Sequence, residues 1–377
     1  MNTPELRARC ATQLQAAADR VTRMKAFIGL DGFVDEILHV VDKRESAGKY
    51  VRLPKMVQWG ERICAAAGKS TNIELVSQRT KLGGNGPIMA NAMASFGFQV
   101  SYLGNLGYPN LHPVFAEFAR RAEVHSIAEP GYTDAVEFED GKVMLGKHQS
   151  LKEVNWTNLQ ARFGQREFAA KILGADFLGF VNWTMLTYMN EIWSATLDEI
   201  CPKLSGPRRT MFFDLADPEK RTPADIAKAL ALIAAFEKYF DVILGLNESE
   251  SSQIGRTLGL NTSDHSPEGL VKLGQEILRC VSVGTLVIHP THYALAVRRQ
   301  DGAAIVEGPF TPQPLITTGA GDHFNAGFCL GKLLGFDNAT SVLTGVTTSG
   351  FYVRTATSPT VENLVTTMRN WPEKCDR

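Results

Sequence analysis

Short runs rich in β-branched and aromatic residues alternate along the chain with longer stretches in which apolar positions recur at three- and four-residue spacing. Side chains repeat every two residues along a strand and about every 3.6 along a helix, so the first pattern predicts strands and the second amphipathic helices. Strands are predicted at 25–30, 73–77, 99–103, 176–181, 209–214, 241–244 and 285–289. Helices are predicted at 87–96, 113–122, 188–200, 223–239, 267–280, 322–334 and 340–353. This alternation implies an α/β fold, a doubly wound and mainly parallel sheet flanked by helices.

Two regions break the rhythm. Residues 133–148 alternate around Glu139-Asp140-Gly141-Lys142, a hairpin signal, and 49–54 supplies a further strand. Together they predict a small β lid, drawn from about 36–55 and 130–150, on a single domain spanning 1–377. A lid is useful wherever a reaction must exclude water. A surface hairpin without a gating role is the other reading of the same pattern.

Composition narrows the class. The chain has 377 residues, 44% of them hydrophobic, enough for a sizeable core. A net charge of -1, from 39 basic and 40 acidic residues, argues against a nucleic-acid partner or an anionic membrane surface. The six cysteines are scattered without the close pairing of a zinc or redox motif, and read as reduced thiols. Arg7, Arg9, Arg20, Arg23 and Lys25 interrupt the apolar residues of the N-terminal segment, which therefore lacks a signal-peptide core. No apolar stretch is long enough to span a membrane, so the expected location is the cytoplasm.

Chemistry concentrates in Thr317-Thr318-Gly319-Ala320-Gly321-Asp322, just where the helix over 322–334 begins. The first backbone N–H groups of a helix lack internal partners and attract anions. A carboxylate on an anion-binding helix start is electrostatically awkward unless it takes a proton from a hydroxyl that attacks a phosphate. Asp322 read as an ordinary first-turn carboxylate complementing the helix dipole is the alternative. Leu82-Gly83-Gly84-Asn85-Gly86-Pro87 is a second glycine cluster leading into a helix, either a tight turn or a close approach to ligand hydroxyls. Asp31 and Asp35 follow the first strand, where open α/β sheets bind ligands, so one of them is placed to hold a substrate hydroxyl. Asn247-Glu248-Ser249-Glu250 opens another helix, either as a cap or as a site where Asn247 and Glu250 organise Mg²⁺ and its waters beside phosphates.

Three other patterns are set aside. Gly68-Lys69-Ser70 is not a P-loop, because Ile63 stands where its first glycine belongs. No G-x-G-x-x-G follows the first strand, which disfavours a dinucleotide oxidoreductase. His289-Pro290-Thr291-His292 lacks nearby carboxylates or cysteines and reads as a turn rather than a metal site.

Taken together, these segments resemble the ribokinase-like, or PfkB-type, carbohydrate kinases over roughly residues 26–364. Gly319-Ala320-Gly321-Asp322 is similar to the family's C-terminal signature, Gly83-Gly84 with the following helix and Gly97 to its N-terminal signature, and Asn247-Glu248-Ser249-Glu250 to its N-x-x-E motif. The resemblance implies an ATP-dependent kinase acting on a hydroxyl of a small sugar or sugar-like molecule. In it, Asp322 is the base, Gly319, Ala320 and Gly321 form an anion hole, and Asn247 and Glu250 act through Mg²⁺. Thr318 and Thr291 join the nucleotide-binding residues, while Asp31, Asp35, Gly83, Gly84 and Asn85 face the sugar. Asp214 and Arg221 are similar to a D-x-N-x-R strand end, though shifted and without its asparagine. Lids of this family often pair between subunits, which implies a homodimer.

Three departures bear on the acceptor and donor. Ile88 stands where the first signature usually has an asparagine, so hydroxyl recognition falls to Asn85 or Asn91. Ile316 replaces the acid that usually begins the second signature, and His289-Pro290-Thr291-His292-Tyr293-Ala294 replaces a glycine-rich turn that approaches ATP. Two alternatives stay open. One is a nucleoside or vitamin-alcohol kinase, with Phe33, Trp183 and Tyr132 as stacking surfaces, and the other is a non-catalytic ligand-binding relative.

Overall fold

The computed structural model describes residues 2–299 and 302–372. Its strands are β1 (Lys25–Leu30), β2 (Phe33–Ser46), β3 (Lys49–Arg52), β4 (Leu75–Gly83), β5 (Gln99–Gly104), β6 (Glu123–Ser126) and β7 (Gly131–Phe138). They continue as β8 (Gly141–Lys147), β9 (Phe177–Phe180), β10 (Arg209–Asp214), β11 (Phe240–Leu246), β12 (Thr285–Ile288), β13 (Tyr293–Arg298) and β14 (Gly302–Glu307). Nine of them form the central sheet in the order β14-β13-β12-β11-β10-β9-β1-β5-β6. All neighbours from β6 to β12 run parallel, and β13 and β14 close one edge antiparallel. The sheet is thus doubly wound, with the strand order reversing beside β1.

Both faces of this sheet are covered, which explains why its strands read as continuous apolar runs. Successive residues point to opposite faces. Phe27, Met211, Phe213, Val242 and Leu244 join the core on one side. Their chain neighbours Ala26, Ile28, Phe212 and Ile243 join the core on the other, under helices Pro4–Val21, Ala320–Leu333 and Asn338–Thr355.

Several expected elements differ. The strand predicted at 73–77 becomes β4, which pairs with β2 in the small sheet rather than entering the central one. That sheet has the order β3-β2-β7-β8, and the long strand β2 at its centre falls mostly within the expected lid segment 36–55, of which only 49–54 reads as a strand. A bulge between Ile37 and Leu38 breaks its period-two pattern, which hides it from a reading based on alternation. The helix predicted at 113–122 is instead two tight 3₁₀ turns, Pro113–Phe115 and Phe118–Arg120. In that geometry residues three apart eclipse, and Phe115 and Phe118 are both buried. The helix predicted at 188–200 is α-helical over Met189–Ala195 and widens into a π turn over Thr196–Ile200, with Pro202 just beyond.

Candidate active site

Loops at the carboxyl ends of β1, β9, β10, β11 and β12 meet the start of helix Ala320–Leu333, as expected at the switch point of an open α/β sheet. Gly319 caps this helix at φ 92°, a left-handed conformation that glycine adopts without penalty. The N–H of Ala320 closes a turn onto the Thr317 carbonyl at 3.1 Å, and that of His323 begins the helical ladder on Gly319 at 3.1 Å. Among the described residues, the N–H groups of Gly319, Gly321 and Asp322 have no acceptor within the protein. Of the three residues expected to form the anion hole, Gly319 and Gly321 keep free N–H groups, whereas that of Ala320 is engaged internally.

This turn separates two cavities. Thr317, Ala320 and Gly321 line one of about 550 Å³, together with Thr291 and Asn247. Thr318, Gly319 and Asp322 line another of about 370 Å³, together with Asp35, Gly84, Asn85 and Glu250. Cavities of about 600 and 540 Å³ also lie at the amino ends of the strands, beside Lys25 and Gln99 and beside Thr210 and Thr285. Neither touches any of the predicted site residues, so volume alone does not mark the site.

Asp322 is buried, and burial pushes its carboxyl up to about 8. The Asn85 amide, which donates to it at 3.0 Å, pulls the other way, as does the ammonium of Lys81, while the carboxylates of Asp31 and Glu250 add to the rise. This is a carboxyl poised to exchange a proton near neutral pH.

The two aspartates after β1 have separated roles. Asp31 does not line the cavity. Its carboxylate accepts from the N–H groups of Asn85 (3.0 Å) and Gly86 (2.8 Å) and from the Asn182 amide (2.8 Å), so it anchors the start of helix Asn85–Phe96. Asp35 does line the cavity, on β2, with Lys81 of β4 opposite it in register and their charged groups 3.9 Å apart. A Cβ on Gly83 would lie 2.4 Å from the Asp35 carboxylate, so this glycine backs the acid rather than facing a ligand. Asn91 also points elsewhere, donating to Ser358 at 3.2 Å, so of the two asparagines expected to meet the sugar only Asn85 lines the cavity.

Asn247 and Glu250 form a reciprocal cap: the Asn247 side chain accepts from the N–H of Glu250 (2.9 Å) and the Glu250 carboxylate from that of Asn247 (2.8 Å). Capping and ligand contact coexist, because both residues also line the smaller cavity. The other Glu250 oxygen accepts from the N–H of Asp217 at 2.9 Å. Asp214 does not reach either cavity. It accepts from Asn325 (2.8 Å) and the N–H of Ala216 (2.9 Å), bracing the turn that supports Glu250. Arg221 lies over the Trp183 ring at 4.5 Å. Trp183 is fully buried, and Tyr132 faces His112 rather than the cavity, so only Phe33 of the three proposed stacking rings lines it.

No group of three acidic, histidine or cysteine side chains that could hold a metal occurs among the described residues. Mg²⁺ shared with phosphates takes one or two carboxylates and keeps several waters. Glu250, which lines the smaller cavity, fits this role, since each of its oxygens has one internal donor and retains a further lone pair, and its cap partner Asn247 lines both cavities.

In the larger cavity, burial holds His289 neutral, with a pKa lowered to about 4. Its ring packs on Phe324 at 4.9 Å and its buried Nε2 has no partner in the protein, so the turn replacing a glycine-rich loop presents a hydrogen-bonding nitrogen beside Gly321. Two cations escaped the sequence reading. Lys142 reaches from β8 to the hydroxyls of Thr317 (3.5 Å) and Thr318, and Lys81 sits between Asp35 and Asp322. Lys142 stands in the hairpin signal and Lys81 beside the second glycine cluster, but neither pattern marks a site residue, and the small sheet brings both in.

The family model for prokaryotic ketohexokinase matches residues 2–371. A ketohexokinase of Haloferax volcanii is 30% identical over 352 residues, covering 93% of this chain and 92% of that protein. The chain belongs to the prokaryotic ketohexokinase family. Solved structures place this ketohexokinase family member within the ribokinase-like fold, as its motifs implied. Arabidopsis thaliana ribokinase complexed with ribose and ATP aligns with a TM-score of 0.64 at 14% identity, over 92% of this chain and 98% of that one. A carbohydrate kinase from Agrobacterium tumefaciens aligns with a TM-score of 0.60 at 17% identity, over 93% and 98%.

Proposed function

We propose that this chain transfers the γ-phosphoryl group of ATP to a hydroxyl of a ketohexose such as D-fructose. The observation that carries this reading is the single turn that places Asp322 on one cavity and free backbone donors beside both. The larger cavity takes ATP and the smaller one the sugar. Asp322 accepts the proton of the attacking hydroxyl, the oxygen bonds to the γ-phosphorus, and the bond to the β-phosphate oxygen breaks to release ADP. The N–H groups of Gly319 and Gly321 stabilise the charge on the transferring group. Glu250 would hold Mg²⁺ beside the phosphates, where the ion would supply neutralisation of their charge. Asp35 and Asn85 orient the sugar, and the near-absence of aromatic rings from this cavity favours it over a nucleoside.

The small sheet acts as the lid, with Lys142 its point of contact on the turn. Exposed Val57, Ile63, Met144 and Leu145 on and beside that sheet support a homodimer through it, which sedimentation at rising protein concentration tests. ATP supply places the enzyme in the cytoplasm. ADP release is measured with MgATP and D-fructose, aldohexoses or nucleosides. Fructose-dependent release is expected, and release with nucleosides alone overturns the assignment.

The pH profile follows from the raised pKa of Asp322. A base must be deprotonated, so kcat/KM for the sugar falls about tenfold per unit as pH drops below about 8. Lys81→Met removes a charge that pulls this pKa down, and should move the acidic limb to higher pH. A limb unmoved by that substitution argues against Asp322 as the titrating group.

A further inference from the structure

The turn bearing the free amides is gripped from its other side. The hydroxyl of Tyr352 donates to the Thr318 carbonyl at 3.0 Å, and His323 Nδ1 donates to the Gly319 carbonyl at 2.7 Å. A carbonyl only accepts, so the proton sits on Nδ1, and Nε2 accepts from Ser358 at 2.9 Å. Burial keeps the imidazole neutral, which preserves this arrangement. The His323 and Tyr352 rings stack with centroids 3.6 Å apart and planes 13° from parallel. Ser358 is itself held by Asn91 at 3.2 Å and, through its carbonyl, by Ser95 at 3.1 Å, both on helix Asn85–Phe96. The helix whose first residue holds the base through Asn85 therefore also steadies the residues behind the turn.

In a planar trans peptide the C=O and the following N–H point in opposite directions. Holding the Thr318 carbonyl behind the turn therefore aims the Gly319 N–H forward, and holding the Gly319 carbonyl fixes the next plane. A glycine between two peptide planes is the residue most free to let them rotate, so the turn needs such external restraint.

We infer that His323, Tyr352 and Ser358 are positioning residues that hold the Thr318–Gly319–Ala320 peptides in register with the transferring phosphoryl group. The inference rests on the phosphoryl-transfer reading of Asp322. Its effect is on the transition state, because the amides matter most as charge develops on the phosphoryl oxygens.

The test uses the full chain with Tyr352→Phe, His323→Leu and His323→Asn, the last keeping a donor near the Nδ1 position. Expected are kcat losses of about 10-fold for Tyr352→Phe and about 100-fold for His323→Leu, with both KM values within about twofold, and recovery to within about threefold for His323→Asn. Binding of ADP with Mg²⁺, aluminium fluoride and fructose should weaken in step with kcat, while binding of ADP alone and the melting temperature stay put. Wild-type kcat in Tyr352→Phe and His323→Leu overturns the inference. So does a loss shared by ADP affinity and melting temperature, or an Asn variant as poor as the Leu variant. Failure of the kinase reading looks different: the unmutated protein releases no ADP with fructose, whereas ADP–aluminium fluoride binding still reports on the turn.

Discussion

Asp322→Asn is expected to lower kcat by about 10²–10⁴ with little change in ADP affinity, the range that loss of a positioned general base produces. The substitution keeps the side chain's size and its ability to accept from Asn85, so the helix start should not move. It removes only the capacity to take a proton. Stability supplies an independent check. A carboxyl whose folded pKa is raised to about 8 binds a proton more tightly in the folded than in the unfolded chain. Its contribution to stability is fully present below the unfolded value near 4 and is lost as pH rises through about 8. The asparagine variant lacks that dependence, so its melting temperature at pH 8 should be no lower than the wild-type value. Near-native turnover would sink the mechanism, and a large fall in melting temperature would mean that Asp322 holds the fold together.

Gly319→Ala is expected to cost about 10²–10³ in kcat, comparable to removing one donor from an oxyanion hole. At φ 92° an alanine is strained by about 1 kcal/mol. Its Cβ would also meet Ile88 at 3.1 and 3.3 Å and the Tyr352 hydroxyl at 3.3 Å. The turn relieves both by shifting, and the amides move with it. Combining Gly319→Ala with Ile88→Val loosens the contact but not the dihedral, so turnover should recover only in part. Wild-type kcat in Gly319→Ala would show that the turn does not carry the transition-state contacts assigned to it. Ile88 thus has a packing role where the resemblance led one to expect an asparagine facing the sugar.

How legible a residue was depended on how far away its partners lay. Asp322 and the glycines before it were found because a helix start is made by adjacent residues. The Asn247–Glu250 cap was equally visible, though local sequence could not tell a cap from a ligand contact, and the structure shows it to be a cap that also lines a cavity. Asp31 and Asp35 looked alike from the sequence. Asp31 became an anchor because helix Asn85–Phe96 begins against it, and Asp35 became a cavity residue because β2 carries it into the small sheet.

Sequence alone determined the α/β class, the parallel core strands and the position of the acid on a glycine-rich turn that opens a helix, because each follows from spacing within about ten residues. Only the tertiary structure decided that β4 belongs to the small sheet, that Lys81 and Lys142 reach the site, and that His323, Tyr352 and Ser358 stand behind the turn. It also decided how far the carboxyl of Asp322 is raised. Desolvation and long-range charge depend on which distant segments exclude water from Asp322, and no local pattern encodes that.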